Sequence, residues 1–198
     1  MLRKQALQTL ITEYLSSATW IYRYVDEVEL NHKLERYVTA DELDELTLAL
    51  FFALSATTLH YIQWDHKIWR NWPEDSNVCL FFFPTRTDDE WFHQVTASRI
   101  HDFACTIIDR SHETLMSHPS IALLEVYLIL AHYHATVKSG DSGEQMWTLS
   151  HKMIELAMTL GLHRDPGERG LPEHEVAKRR WVWWNVLSFE RYAPFSLS

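Results

Sequence analysis

Two Glu-x-x-His spacings, Glu29 to His32 and Glu90 to His93, are the strongest hint of chemistry in the chain. On a helix this spacing puts both side chains on one face, the arrangement by which facing helices hold a pair of iron or manganese ions. With 12 histidines in 198 residues such pairs also arise by chance, and the first lies where helical periodicity is weak, so the metal reading ranks below a structural one. His163, Arg164 and Asp165 have the types of an acid–base cluster, but consecutive loop residues do not converge on one reacting atom. Lys178, Arg179 and Arg180 adjoin Trp181, Trp183 and Trp184, a mixture of basic and aromatic side chains that suits stacked nucleic-acid bases. Acidic neighbours and helical spacing favour a half-buried supporting role instead. Cys79 and Cys105 are far apart, show no C-x-x-C spacing and read as buried, inert thiols. No residue is therefore expected to be catalytic, to bind a cofactor or to ligate a metal.

Composition supports a folded interior and opposes several functions. Hydrophobic residues make up 46% of the chain and include 9 Trp, while 5 Gly and 6 Pro are too few for many short strands joined by turns. The expected class is all-α. A formal charge of −9 leaves little Lys or Arg surface for tracking phosphates, so this chain alone should bind DNA poorly. The apolar runs Leu46 to Trp64 and Ile121 to Val137 carry His60, Gln63, Glu125, His132 and His134, which suits buried helices rather than membrane spans. His132 and His134 are expected in the core or at an interface. A pocket between helices lined by aromatic and His residues is where an effector would sit, without particular residues to nominate. The amino-terminal segment MLRKQALQTLIT lacks the long apolar core of a signal peptide.

The elements that must position these residues follow from periodicity. Leu7, Leu10, Ile11, Tyr14 and Leu15 predict a helix that ends near Ser16 and Ser17, followed by an aromatic, irregular stretch from Trp20 to Tyr37. Thr39-Ala40-Asp41-Glu42 has the pattern of a capping box and predicts a helix running to Trp64 or Trp69, before Asn71-Trp72-Pro73. Trp72 to Pro84 suggests a loop or short strand. Asp88, Asp89 and Glu90 then open a helix that lasts to about Met116. Pro119 suits the first turn of a helix bearing Leu123, Leu124, Tyr127, Leu128 and Ala131, which gives way to a turn at Lys138 to Gly143. A further helix bears Met146, Ile154, Leu156, Ala157 and Leu160 and stops at Gly161, with Pro166 forbidding its extension. Pro172-Glu173-His174-Glu175 begins the last helix. The expected architecture is antiparallel helical pairs forming one multi-helix domain over residues 1–198.

The run Ala157 to Pro166, with its Leu160-Gly161-Leu162-His163-Arg164-Asp165-Pro166, then Lys178-Arg179-Arg180, Trp183-Trp184 and Glu190-Arg191, resembles the fungal-specific transcription factor domain, also called the middle homology region. The resemblance is most specific over residues 120–191 and only loose from Met1 to Met116. Gly161, Leu162, His163, Arg164, Asp165, Pro166, Arg179, Arg180, Trp183, Trp184, Glu190 and Arg191 are the positions that carry it, in structural roles. Lys178, Arg179 and Arg180 are expected to pair with Asp165, Glu168 or Glu175. Trp183 and Trp184 are expected to pack in the core or to stack a guanidinium.

The resemblance implies a nuclear regulatory region that lies downstream of a six-cysteine zinc cluster and acts through intramolecular contacts, a second copy, co-regulator proteins or a small-molecule effector. DNA is implied only through a missing domain. No C-x2-C-x6-C pattern occurs in this chain, so zinc is expected only in a missing N-terminal cluster and no ligand is carried over. The family usually continues from the Asp-Arg position into Gly-Arg-Pro. Here Glu190 replaces the usual Asp and the sequence ends Tyr192-Ala193-Pro194-Phe195-Ser196-Leu197-Ser198, which reads as a fragment. The competing expectations are a freestanding helical partner-binding remnant without DNA binding and a helical di-metal enzyme.

Overall fold

A computed structural model of the chain describes residues 4–18, 24–40, 43–62, 66, 90–136 and 142–192. Among them every regular element is helical, so the class is all-α. The chain divides into two compact units, 1–110 and 111–198, each with its own core. No helix among the described residues is long and apolar enough to cross a membrane.

In the first unit, α1 (Lys4–Glu13) passes into a π-helical turn (Tyr14–Ala18), and α2 (Glu27–Ala40), α3 (Glu45–Tyr61) and α4 (Glu90–Arg110) follow. The central element is α3, whose sequence between Glu45 and His60 has no charged side chain; it packs on α1 and α4 and buries residues on every side. Ser55, Thr57 and Thr58 lie inside because each hydroxyl donates to the carbonyl one turn back, at 2.7, 2.9 and 2.8 Å. The Thr58 hydroxyl also reaches the Leu10 carbonyl of α1 at 3.4 Å. Around α3 stand Leu7, Leu10 and Ile11 of α1 and Ile100, Ala104 and Ile108 of α4, all buried. Each large side chain so buried contributes about 1.5–3 kcal/mol.

Three differences from the sequence reading have local causes. The stretch expected to be irregular contains α2, which buries Leu30, Leu34 and Tyr37 at spacings of one turn and is opened by Asp26, whose carboxylate accepts from the Glu29 amide at 3.0 Å. Thr39 is therefore no N-cap: it sits inside α2, where its hydroxyl donates to the Glu35 carbonyl at 2.7 Å. The cap of α3 is Asp44, which accepts from the Thr47 amide at 2.8 Å and the Thr47 hydroxyl at 2.6 Å. The helix ends at Tyr61, earlier than Trp64 or Trp69, because Ile62 is extended. Asp41, Glu42, the Asn71 to Pro84 interruption, Cys79, Asp88, Asp89 and the turn at Lys138 to Asp141 lie outside the described residues.

In the second unit, a short α5 (His112–Ser117) precedes α6 (Ile121–Thr136), α7 (Ser142–Thr159), a 3-10 turn (Pro166–Arg169) and α8 (Glu173–Tyr192). The helix expected to reach Met116 is interrupted at Ser111, so that α4 and α5 are separate. Ser120 opens α6 by accepting from the Leu123 amide at 3.2 Å, which leaves Pro119 just before the helix and not in its first turn. Residues 123–133 of α6 are buried without a break. Against it pack α7, which buries Met146, Met153, Leu156 and Ala157, and α8, which buries Val182, Val186 and Phe189.

Burial pushes the Asp44 carboxyl up, but hydrogen bonds from the Thr47 side chain and amide outweigh it and hold the group below the usual carboxylate range. A depressed folded-state value contributes stability above the unfolded-state value, lost as pH falls through the folded one. Asp44→Ala should therefore cost about 1 kcal/mol near neutral pH, with little loss in Asp44→Asn. Denaturant titrations of both variants should show the Ala deficit shrinking in acid.

Candidate functional site

Of the residues singled out by sequence, Gly161 to Pro166, Arg179 and Arg180 gather where α7 ends and α8 begins, whereas Glu190 and Arg191 lie at the far end of α8. The Gly161 amide donates to the Met158 carbonyl and the Leu162 amide to the Ala157 carbonyl, each at 2.9 Å. These two bonds with Gly161 at φ 66 form a Schellman cap, and both Ala157 and Leu162, the residues it joins, are buried. A side chain at Gly161 would be strained by the positive φ and would also meet the Arg169 guanidinium, 2.5 Å from where a Cβ would stand.

Beyond the cap, Asp165 opens the 3-10 turn. Its Oδ1 accepts from the Gly167 amide at 3.0 Å and from Arg180 Nη2 and Nε at 2.8 and 3.3 Å. The Gly167 amide and the Arg180 guanidinium hold the Asp165 carboxyl below the usual carboxylate range. Pro166 is buried at the start of that turn, and Gly170, at φ 65, ends it. Pro172 then accepts from the Val176 amide at 3.0 Å, and Glu173 and Glu175 lie in the first turn of α8, where the helix dipole favours negative charge. From the next turn Arg179 Nη1 donates to the Leu160 carbonyl at 3.5 Å, so the cationic face of α8 reaches both the carbonyl end of α7 and the connecting loop.

Of the three basic residues, Arg180 meets Asp165 as expected, whereas Lys178 turns inward. Its Nζ lies 3.1 Å from Oε1 of Glu125, a carboxylate in the middle of α6 with 0% exposure. Sequence reasoning missed this pair, although Glu125 is the lone acidic residue in the apolar run from Ile121 to Val137. The tryptophans also differ from expectation. Val182, Val186 and Phe189 define the buried face of α8, Trp183 is half-buried, and Trp184 is 67% exposed and so is no core residue. His163 and Arg164 are exposed, with Arg164 Nε donating to His163 Nε2 at 3.3 Å, and Glu190 and Arg191 are exposed as well.

Glu29 and His32 stand on α2, where Glu29 pairs with Lys33 at 2.8 Å and His32 is exposed. His93 lies in α4. Among the described residues no three potential ligands come together around a metal position. His132 is buried and His134 half-buried. Cys105 is half-buried rather than fully buried, with its sulfur 3.8 and 3.9 Å from the ring nitrogens of His101. Burial pushes His101 down to about 4, so the ring is neutral at physiological pH. Two cysteines in the whole chain do not fit a six-cysteine zinc cluster.

Residues 80–197, which include the capped turn and its arginines, match the family described as the fungal specific transcription factor domain. The chain belongs to that family. Over 61 residues, 31% of the chain, it is 34% identical to the pyriculol/pyriculariol biosynthesis cluster transcription factor 1 of Pyricularia oryzae. Over 128 residues, 61% of the chain, it is 30% identical to the C6 finger domain transcription factor nscR of Aspergillus fumigatus. These stretches span 8% and 16% of the two relatives. No solved structure matches the chain. The family and both relatives are transcription factors and not enzymes, so the di-metal reading is set aside.

Gly161 and Gly170 share a positive φ, but only at Gly161 would a Cβ meet a neighbour within 4 Å. Gly170→Ala and Gly161→Ala should each cost about 1 kcal/mol from backbone strain, because the Arg169 guanidinium that a Cβ at Gly161 would meet is the tip of an exposed side chain and can swing aside; costs that differ severalfold would contradict this. Thermal melts of the two variants side by side check the two costs.

Proposed function

We propose that this chain is the regulatory region of a fungal transcription factor, acting in the nucleus on DNA-templated transcription. The family match across α4 to α8 carries the reading. In this reading residues 1–198 work as one regulatory domain built from antiparallel helical pairs. The domain acts through contacts with the rest of its own polypeptide, a second copy, a co-regulator protein or a small-molecule effector. Binding to specific DNA belongs to a zinc cluster elsewhere in a fuller-length protein, because −9 of net charge and two cysteines provide neither phosphate contacts nor cluster ligands in this chain. Gly161 to Pro166, Arg179 and Arg180 serve by holding the α7–α8 connection in one shape, while Trp183, Trp184, Glu190 and Arg191 lie on the helix so held.

Tethering tests this directly. The 198-residue chain, fused to an unrelated DNA-binding domain in a fungal cell, should change expression of a reporter bearing that domain's sites, relative to the DNA-binding domain alone. Promoter occupancy measured by chromatin immunoprecipitation controls for delivery. Full occupancy by a stable fusion with unchanged reporter expression would contradict the regulatory reading.

A further inference from the structure

The inward face of α8 is apolar and nearly repetitive: Val182, Val186 and Phe189 follow one another at turn spacing, and all are buried. Such a face does not by itself choose a position along its neighbours. A slide by one helical turn, about 5.4 Å, would replace Val182 by Val186 and Val186 by Phe189 at the cost of repacking similar side chains. The pair between Glu125 and Lys178 does not tolerate the same slide. In one direction Val182 would come to the place of Lys178, and in the other His174 or Glu175 would, so that Glu125 would face an apolar group, an imidazole in place of an ammonium, or a second carboxylate. A buried carboxylate that loses its cationic partner is strongly disfavoured, whereas apolar contacts exchanged for apolar contacts are nearly neutral.

We propose that the Glu125–Lys178 pair is a register pin: it selects one seating of α8 on α6 and thereby fixes the height along α6 at which the outward face of α8, bearing Trp181 and Trp184, is presented. The pin is a specificity device rather than a source of net stability, because two apolar residues of similar volume would fill the same space without the cost of desolvating the Glu125 carboxylate. It is independent of the regulatory reading. Arg180 and Asp165 do not duplicate it, since both are exposed and one of them sits on the connecting loop.

The test uses three variants of the 198-residue chain: Lys178→Met, Lys178→Arg and the double variant Glu125→Met with Lys178→Met. Denaturant titration gives stability, and the indole N–H spectrum of 15N-tryptophan protein reports the surroundings of Trp181, Trp183 and Trp184. Lys178→Met should lose roughly a hundredfold or more in the folding constant. Lys178→Arg keeps the charge and should keep a single native set of indole signals. The double variant should regain at least the native resistance to denaturant while its α8 indoles split into more than one set. A double variant with one sharp, native set of signals would overturn the proposal, and so would a double variant no more stable than Lys178→Met or a Lys178→Met protein as stable as the parent.

Discussion

At Gly161 the backbone turns through positive φ, and the amides of Gly161 and Leu162 are returned to carbonyls of the last turn of α7. Everything downstream takes its direction from that turn. Because the glycine has no side chain, the Arg169 guanidinium lies close against it. Because the turn ends α7 at a defined carbonyl, Arg179 of α8 has a fixed acceptor in Leu160. The run from Gly161 to Arg180 thus describes how one helix stops and the next is brought back to it, written in a glycine, a proline, an aspartate and two arginines.

Charge in this acidic chain is used in two different ways. Asp165 and Arg180 meet in water, where two long-range partners are screened and the value of the contact lies in tying a loop to a helix. Glu125 and Lys178 meet at the edge of the core, where the carboxylate has no exposure and the lysine side chain is 28% exposed. In the first unit the polar groups are smaller but follow the same logic. The hydroxyls of Ser55, Thr57 and Thr58 satisfy themselves on α3, which leaves that helix free to be surrounded by apolar neighbours.

What the sequence revealed was mostly what is decided within a few residues. The cap at Gly161, the stop at Pro166 and the burial of α3 and α6 depend on local backbone geometry or on unbroken apolar composition, and both are visible in a string of letters. The capping pattern at Thr39 misled because a Thr three residues before a Glu also occurs inside helices; Asp44, three residues before Thr47, was the competing signal. The helix from Glu27 to Ala40 was hidden by the aromatic residues before it, although Leu30, Leu34 and Tyr37 mark its buried stripe. Trp184 was assigned to the core by its size, yet two residues beyond Val182 it lies on the opposite side of the helix. The partner of Glu125 could not be read at all, because nothing local connects residues 53 positions apart.

Hydrogen exchange of the intact chain, followed residue by residue, measures the central claim that the α7–α8 connection is a closed structural turn and not a loose linker. If the turn is closed as described, the amides of Gly161 and Leu162 exchange as slowly as the neighbouring amides at the end of α7, because all share one cooperative unit. Exchange at Gly161 and Leu162 at the rate of a free peptide, with α6 and α7 still protected, would contradict the account.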